Sequence, residues 1–102
     1  MIIMTDRIDV VPGRMPEALE WAEKIRKASK DAGFVGEKNW LLRSINHAQR
    51  FTFATQFASL ADYEEKVKYL SDPAVRTLGK EMATGGWLVS FERAFSQILI
   101  ED

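Results

Sequence analysis

The sequence predicts an α+β domain: a four-stranded antiparallel sheet with helices on one face, in the order β-α-β-β-α-β. Three observations predict it. Residues 50–57 alternate strictly, with Phe51, Phe53 and Phe57 on one side and Thr52, Ala54 and Gln56 on the other, as in a strand with one buried face. Two stretches of helical spacing separate strand-like segments, which gives two crossovers and one hairpin. That combination defines the ferredoxin-like arrangement, with an expected strand order of 4-1-3-2.

The first strand is expected over 2–11, where Ile2, Met4, Ile8 and Val10 alternate with Ile3, Thr5, Arg7 and Asp9. Pro12-Gly13 stops it. Pro16 opens a helix, with Glu17 and Glu20 near its positive end, and Gly33 closes it. Leu19, Ala22, Ile25, Ser29 and Ala32 form its inner stripe, opposite Lys24, Lys27 and Lys30. A second strand is expected over 39–45, joined through Asn46-His-Ala-Gln49 to the third. Pairing Ile45 with Arg50 sends Trp40 and Leu42 to the helix side, and Leu41, Arg43 and Ile45 to the other. A slip of one residue reverses this assignment.

Ser59 caps a second helix carrying Leu60, Tyr63, Val67 and Leu70, with Asp62 at its third position. Ser71-Asp72-Pro73 breaks it and starts another piece, in which Asp72 is the cap. Val75, Leu78 and Met82 give that piece its apolar side, Gly85-Gly86 ends it, and a last strand is expected over 87–100. With both helices on one face, the other face shows Ile3, Leu41, Ile45, Ala54 and Ala94. Such a patch is uncommon on a monomer, so a homodimer through the open sheet face is expected.

Composition bounds the function. The 102 residues form a single domain, 1–102, with 46% hydrophobic and 28% charged residues, as in soluble globular proteins. The net charge is −1 with the signs interspersed, so the clustered positive footprint of a nucleic-acid binder is missing. No apolar run approaches the ~18 residues that span a membrane. Cysteine is absent, which removes disulfides, thiolate metal sites and a Cys nucleophile and fits a reducing, cytoplasmic setting. Phosphate-loop and dinucleotide fingerprints are also absent, since Gly33-Phe-Val-Gly36 and Gly85-Gly86 have the wrong surroundings.

Arg7-Ile-Asp-Val-Val-Pro-Gly-Arg14 followed by Met15-Pro-Glu-Ala-Leu19 resembles the opening of NIPSNAP-like proteins in the dimeric α/β-barrel superfamily. The segment 63–70 with its Ser71-Asp-Pro73 break resembles that group's second helix. Leu88-Val-Ser-Phe-Glu-Arg-Ala-Phe95 resembles its closing strand. The resemblance implies two sheets packed face to face into a barrel, with a pocket between sheet and helices or near the barrel interior. It also implies a range of chemistries: cofactor-independent oxygenation of polyketide quinones, haem degradation, lactone isomerisation and polyketide cyclisation. Fold likeness does not choose among them.

Arg7 and Asp9 share a strand face, on which Gln56 and, by the expected register, Arg43 also lie. Glu92 joins them if Phe91 points toward the helices. The arginines of this cluster suit a carboxylate, enolate or quinone oxygen, and Arg7 carries the resemblance as well. The same groups equally suit interfacial ion pairs that fix a dimer's register. Tyr63 offers a phenol to a ligand oxygen, while Trp21, Trp40 and Trp87 read as core. Asp6, Asp9 and Glu92 are the one set of carboxylates considered for a hard cation, and no spacing signature supports it, so no metal or other cofactor is expected. His47 is the only histidine and falls in a turn, so a triad or an axial haem ligand would have to use it. No catalytic residue is assigned. The leading expectation is a dimeric protein binding, and oxidising or isomerising, a small apolar or aromatic metabolite. The alternatives are a non-catalytic dimerisation module and a haem-binding or haem-degrading protein.

Overall fold

A computed structural model describes residues 1–100. The chain runs β1 (Ile2–Val10), α1 (Met15–Asp31), β2 (Lys38–Arg43), β3 (Arg50–Phe57), α2 (Leu60–Lys66), a 3-10 turn (Val67–Ser71), α3 (Pro73–Thr84) and β4 (Leu88–Gln97). The sheet order is β2-β3-β1-β4 with every pair antiparallel, the ferredoxin-like topology expected. The last strand is shorter than the sequence suggested and ends at Gln97.

Local chemistry explains most element ends. Ser59 Oγ accepts from Asp62 N at 3.1 Å, and Asp72 accepts from the amides of Ala74 and Val75, so α2 and α3 start on side-chain caps. At the end of α1, Gly33 has φ +100°, and its N–H donates to Lys30 O while Phe34 N–H donates to Ser29 O. This Schellman closure turns Phe34 inward, where it is buried.

On the helix-facing side of the sheet, Met4, Ile8, Val10, Phe51 and Phe57 are buried, each contributing roughly 1.5–3 kcal/mol of apolar transfer. Ala18, Trp21 and Ala22 of α1 and Trp87 close over Ile8, Val10 and Phe51. Helices α1 and α3 lie antiparallel: Trp21 Nε1 donates to Leu78 O at 2.8 Å, and Arg14 Nη2 donates to Gly85 O at 3.1 Å.

The register of β2 departs from expectation. Arg43 pairs with Phe51, Leu41 with Phe53 and Trp40 with Ala54. Leu41 and Arg43 therefore take the helix-side phase, and Trp40 and Leu42 the open-face phase, the reverse of the sequence reading. The cause is the connection. Ser44 N–H donates to Arg50 O, which leaves five residues in the loop instead of four, and Ile45 projects fully into solvent.

Candidate functional site

Between the helix side of the sheet and the helices lies a cavity of about 770 Å³, within the usual size of small-molecule sites. Its sheet wall includes Met4, Ile8 and Phe53, and its helix wall includes Trp21, Val75 and Met82. Gly79 of α3 also lines it, and a Cβ built there would meet no atom within 4 Å. A glycine inside a helix costs about 1 kcal/mol relative to alanine, and here no close backbone approach accounts for it. Its effect is to leave volume open.

A buried ion pair stands in the sheet wall. Asp6 and Arg93 occupy paired positions of β1 and β4 and point to the helix side. Arg93 Nε donates to Asp6 Oδ1 at 2.7 Å and Nη2 to Oδ2 at 2.8 Å, a bidentate pair with side chains only 10% and 24% exposed. The Asp6 carboxylate holds the guanidinium well above its ordinary pKa, against the opposing effect of burial. Arg93 Nη1 is engaged only loosely, by Tyr63 Oη at 3.4 Å. Tyr63 packs edge-on to Phe57 and Phe95, and the Tyr69 ring sits 3.9 Å from that of Phe34. Burial pushes the Tyr69 phenol up, with Arg93 partly offsetting it, so this hydroxyl stays protonated and able to donate at neutral pH. The wall thus presents a fixed cation and the Tyr69 phenol to any oxygen entering a largely apolar space.

The open face carries a second polar network. Arg7 Nη2 donates to Glu92 Oε2 at 2.9 Å, with both side chains well exposed. Arg50 makes a bidentate contact to Asp9, at 2.7 and 3.2 Å, and Ser90 Oγ donates to Asp9 as well. The Arg50 bond lowers the Asp9 pKa, opposed by burial and helped by Ser90. Gln56 is buried at the far end of this face and donates toward the Met1 thioether. The bare face also shows Leu42, 49% exposed, and Trp40, 39% exposed, which at the sheet edge lines the cavity as well.

The six residues singled out in the sequence are therefore divided. Arg7, Asp9, Gln56 and Glu92 share the open face, but of these only Arg7 and Glu92 touch, and Gln56 lies apart at its far end. Tyr63 stands beside Arg93 on the helix side, and the register shift removes Arg43 from Arg7's face. None of the six lines the cavity. Asp6 points away from Asp9 and Glu92, so those three carboxylates cannot share a cation, and among the described residues no cluster of three metal-ligating side chains forms. His47 lies in the β2–β3 loop near Asp9 and does not line the cavity, and its Nδ1 is buried with no partner among the described residues. A haem seated in the cavity would find no histidine there.

Asp6 and Arg93 as a pair escaped the sequence reading, although a signal was present. Asp6 interrupts the apolar phase between Met4 and Ile8, and Arg93 does the same between Phe91 and Phe95. Two opposite charges breaking two inward faces of neighbouring strands imply a buried pair.

No family model matches the chain, and no curated protein matches it. Solved structures do. The chain is similar to a NIPSNAP family protein with unknown function from Agrobacterium tumefaciens, at 15% identity over 94% of this chain and 86% of that one, with TM-score 0.73. An uncharacterized NIPSNAP domain protein from Burkholderia xenovorans aligns over 100% of both chains at 12% identity and TM-score 0.75. A structure described as an antibiotic biosynthesis monooxygenase aligns over 98% of this chain and 100% of that one, at 8% identity and TM-score 0.73. Identities this low show the fold alone: the ferredoxin-like fold of NIPSNAP-like and antibiotic biosynthesis monooxygenase-like proteins. Among the described residues no helix is long and apolar enough to cross a membrane.

Proposed function

We propose that this protein binds a small apolar or aromatic metabolite in the cavity between sheet and helices, with an oxygen of the ligand at Arg93. The observation that carries this reading is the cavity, kept open at Gly79 and carrying the Asp6–Arg93 pair in its sheet wall. Arg93 is held by Asp6 through two bonds, so its other N–H donors are held in place before a ligand arrives. A donor fixed in advance costs little ordering on binding. It also favours the more negative form of a carbonyl or enolate oxygen. Oxidation or isomerisation of an electron-rich aromatic would draw on that same preference, and the likeness to an antibiotic biosynthesis monooxygenase agrees with such chemistry.

Native mass spectrometry and titration with aromatic ketones and quinones test the reading. Gly79→Leu should narrow the space and weaken uptake. The double variant Asp6→Leu/Arg93→Met should stay folded and bind oxygenated ligands more weakly. A parent protein that takes up none of them would overturn the proposal in favour of a non-catalytic dimerisation module.

A second copy of the chain is proposed as the cover for the open face. Trp40 and Leu42 sit there beside the Arg7–Glu92 and Asp9–Arg50 pairs, apolar area beside charges able to set register. Leu42→Glu, which leaves the cavity lining untouched, should then convert dimer to monomer in light scattering. In such an assembly Arg7 would face the barrel interior. Arg7→Ala distinguishes the two places for a ligand: it should leave uptake intact where the helix-side cavity is the site, and reduce it where the interior is.

A further inference from the structure

Three cationic side chains stand on the cavity's exposed rim: Arg26 and Lys30 of α1 and Arg76 of α3. Because α1 and α3 run antiparallel, with Trp21 level with Leu78, the last turns of α1 and the first turn of α3 lie at the same end of the cavity. Outside the Asp6–Arg93 pair, Glu37 is the only carboxylate lining the cavity among the described residues. Arg26 has a loose surface partner in Glu23 at 3.6 Å, and among the described residues neither Lys30 nor Arg76 has a carboxylate within ion-pair distance.

Helix electrostatics explain Lys30, which sits in the last turn of α1 where a cation is favoured. They do not explain Arg76, in the first turn of α3, where the dipole disfavours a positive charge. An excess of positive charge around the mouth of an apolar cavity attracts anions and holds them at the rim, where they keep part of their hydration.

We propose that the ligand is an amphipathic acid: an aromatic or apolar body seated in the cavity, with one anionic group left at the rim among Arg26, Lys30 and Arg76. This rests on the cavity reading above and adds a substrate class to it. Arg93 at the wall and the three cations at the rim then read opposite parts of one molecule, a neutral oxygen within and a charged group outside.

A matched pair of fluorescent probes tests this: anilinonaphthalene sulfonate and the neutral phenylnaphthylamine, which share an aromatic body and differ in the sulfonate. The parent protein at low ionic strength should prefer the anion by roughly 5–10-fold, the worth of a few solvent-exposed charge contacts. High salt should erase the preference. Lys30→Gln/Arg76→Gln should weaken the anionic probe alone, and Gly79→Leu should weaken both. Equal affinity for the two probes, unaltered by Lys30→Gln/Arg76→Gln yet lost in Gly79→Leu, would overturn the anion proposal and leave the cavity standing. Binding of both probes unchanged in Gly79→Leu would overturn the cavity reading and this inference with it.

Discussion

Asp6–Arg93 and Arg7–Glu92 occupy successive rungs of one β1–β4 ladder and differ chiefly in which side of the sheet they face. On the helix side the pair is bidentate and enclosed, with Tyr63 in loose contact with Arg93. On the open side it is a single contact whose side chains are 43% and 62% exposed. The residue chemistry is the same. What differs is the cover. Under helices, each charge has lost its water and depends on its partner. On the bare face, water competes for both.

The comparison is broken most severely by removing one partner of the enclosed pair. Arg93→Ala should destabilise the protein by about 3 kcal/mol in urea unfolding, because Asp6 is left charged and dry. The paired replacement Asp6→Leu/Arg93→Met should recover most of that loss, and a double variant as unstable as the single one would contradict this account. Next comes Gly36, packed against β3 so closely that a Cβ would collide with the Thr55 methyl and the Gln56 carbonyl. Gly36→Ala should cost about 1–3 kcal/mol by the same measurement, as overpacking does.

Asp9–Arg50 is an intermediate case, on the open face but with side chains only 17% and 28% exposed. Its folded-state pKa is depressed, chiefly by the Arg50 bond. The resulting stability is therefore present above the unfolded value near about pH 4 and is lost as pH falls through the lower folded value. Asp9→Asn should flatten the acid limb of stability against pH and leave the neutral and alkaline range without a new slope. The smallest effect is expected at Arg7: Arg7→Ala should change monomer stability by at most about 1 kcal/mol. A larger loss that grows with dilution would mean that the face is covered by a second copy and the pair has become enclosed.

Much of this arrangement was legible in the sequence because local rules and fold agree. Ser59 and Asp72 cap helices, Pro73 restarts one, and the phases of 2–10 and 50–57 set which way Arg7, Asp9 and Phe51 face. The β2 register was not legible, since one residue more or less in a polar loop leaves no mark in composition. The Asp6–Arg93 pair was legible and passed over. The cavity itself could not be read, because unfilled space has no residue type, and only Gly79 in mid-helix hints at it.

The five-residue β2–β3 loop gives the edge of this sheet a parity. Each slip of one residue between β2 and β3 exchanges the two sides of β2, so seating Ile45 instead of Ser44 opposite Arg50 would offer Trp40 and Leu42 to the helices and return Arg43 to the face of Arg7. Slips of two preserve the pattern. A loop of any length that keeps Ser44 opposite Arg50 therefore keeps the sides of β2, and only a turn that reseats the closing pair by one residue turns the edge strand over.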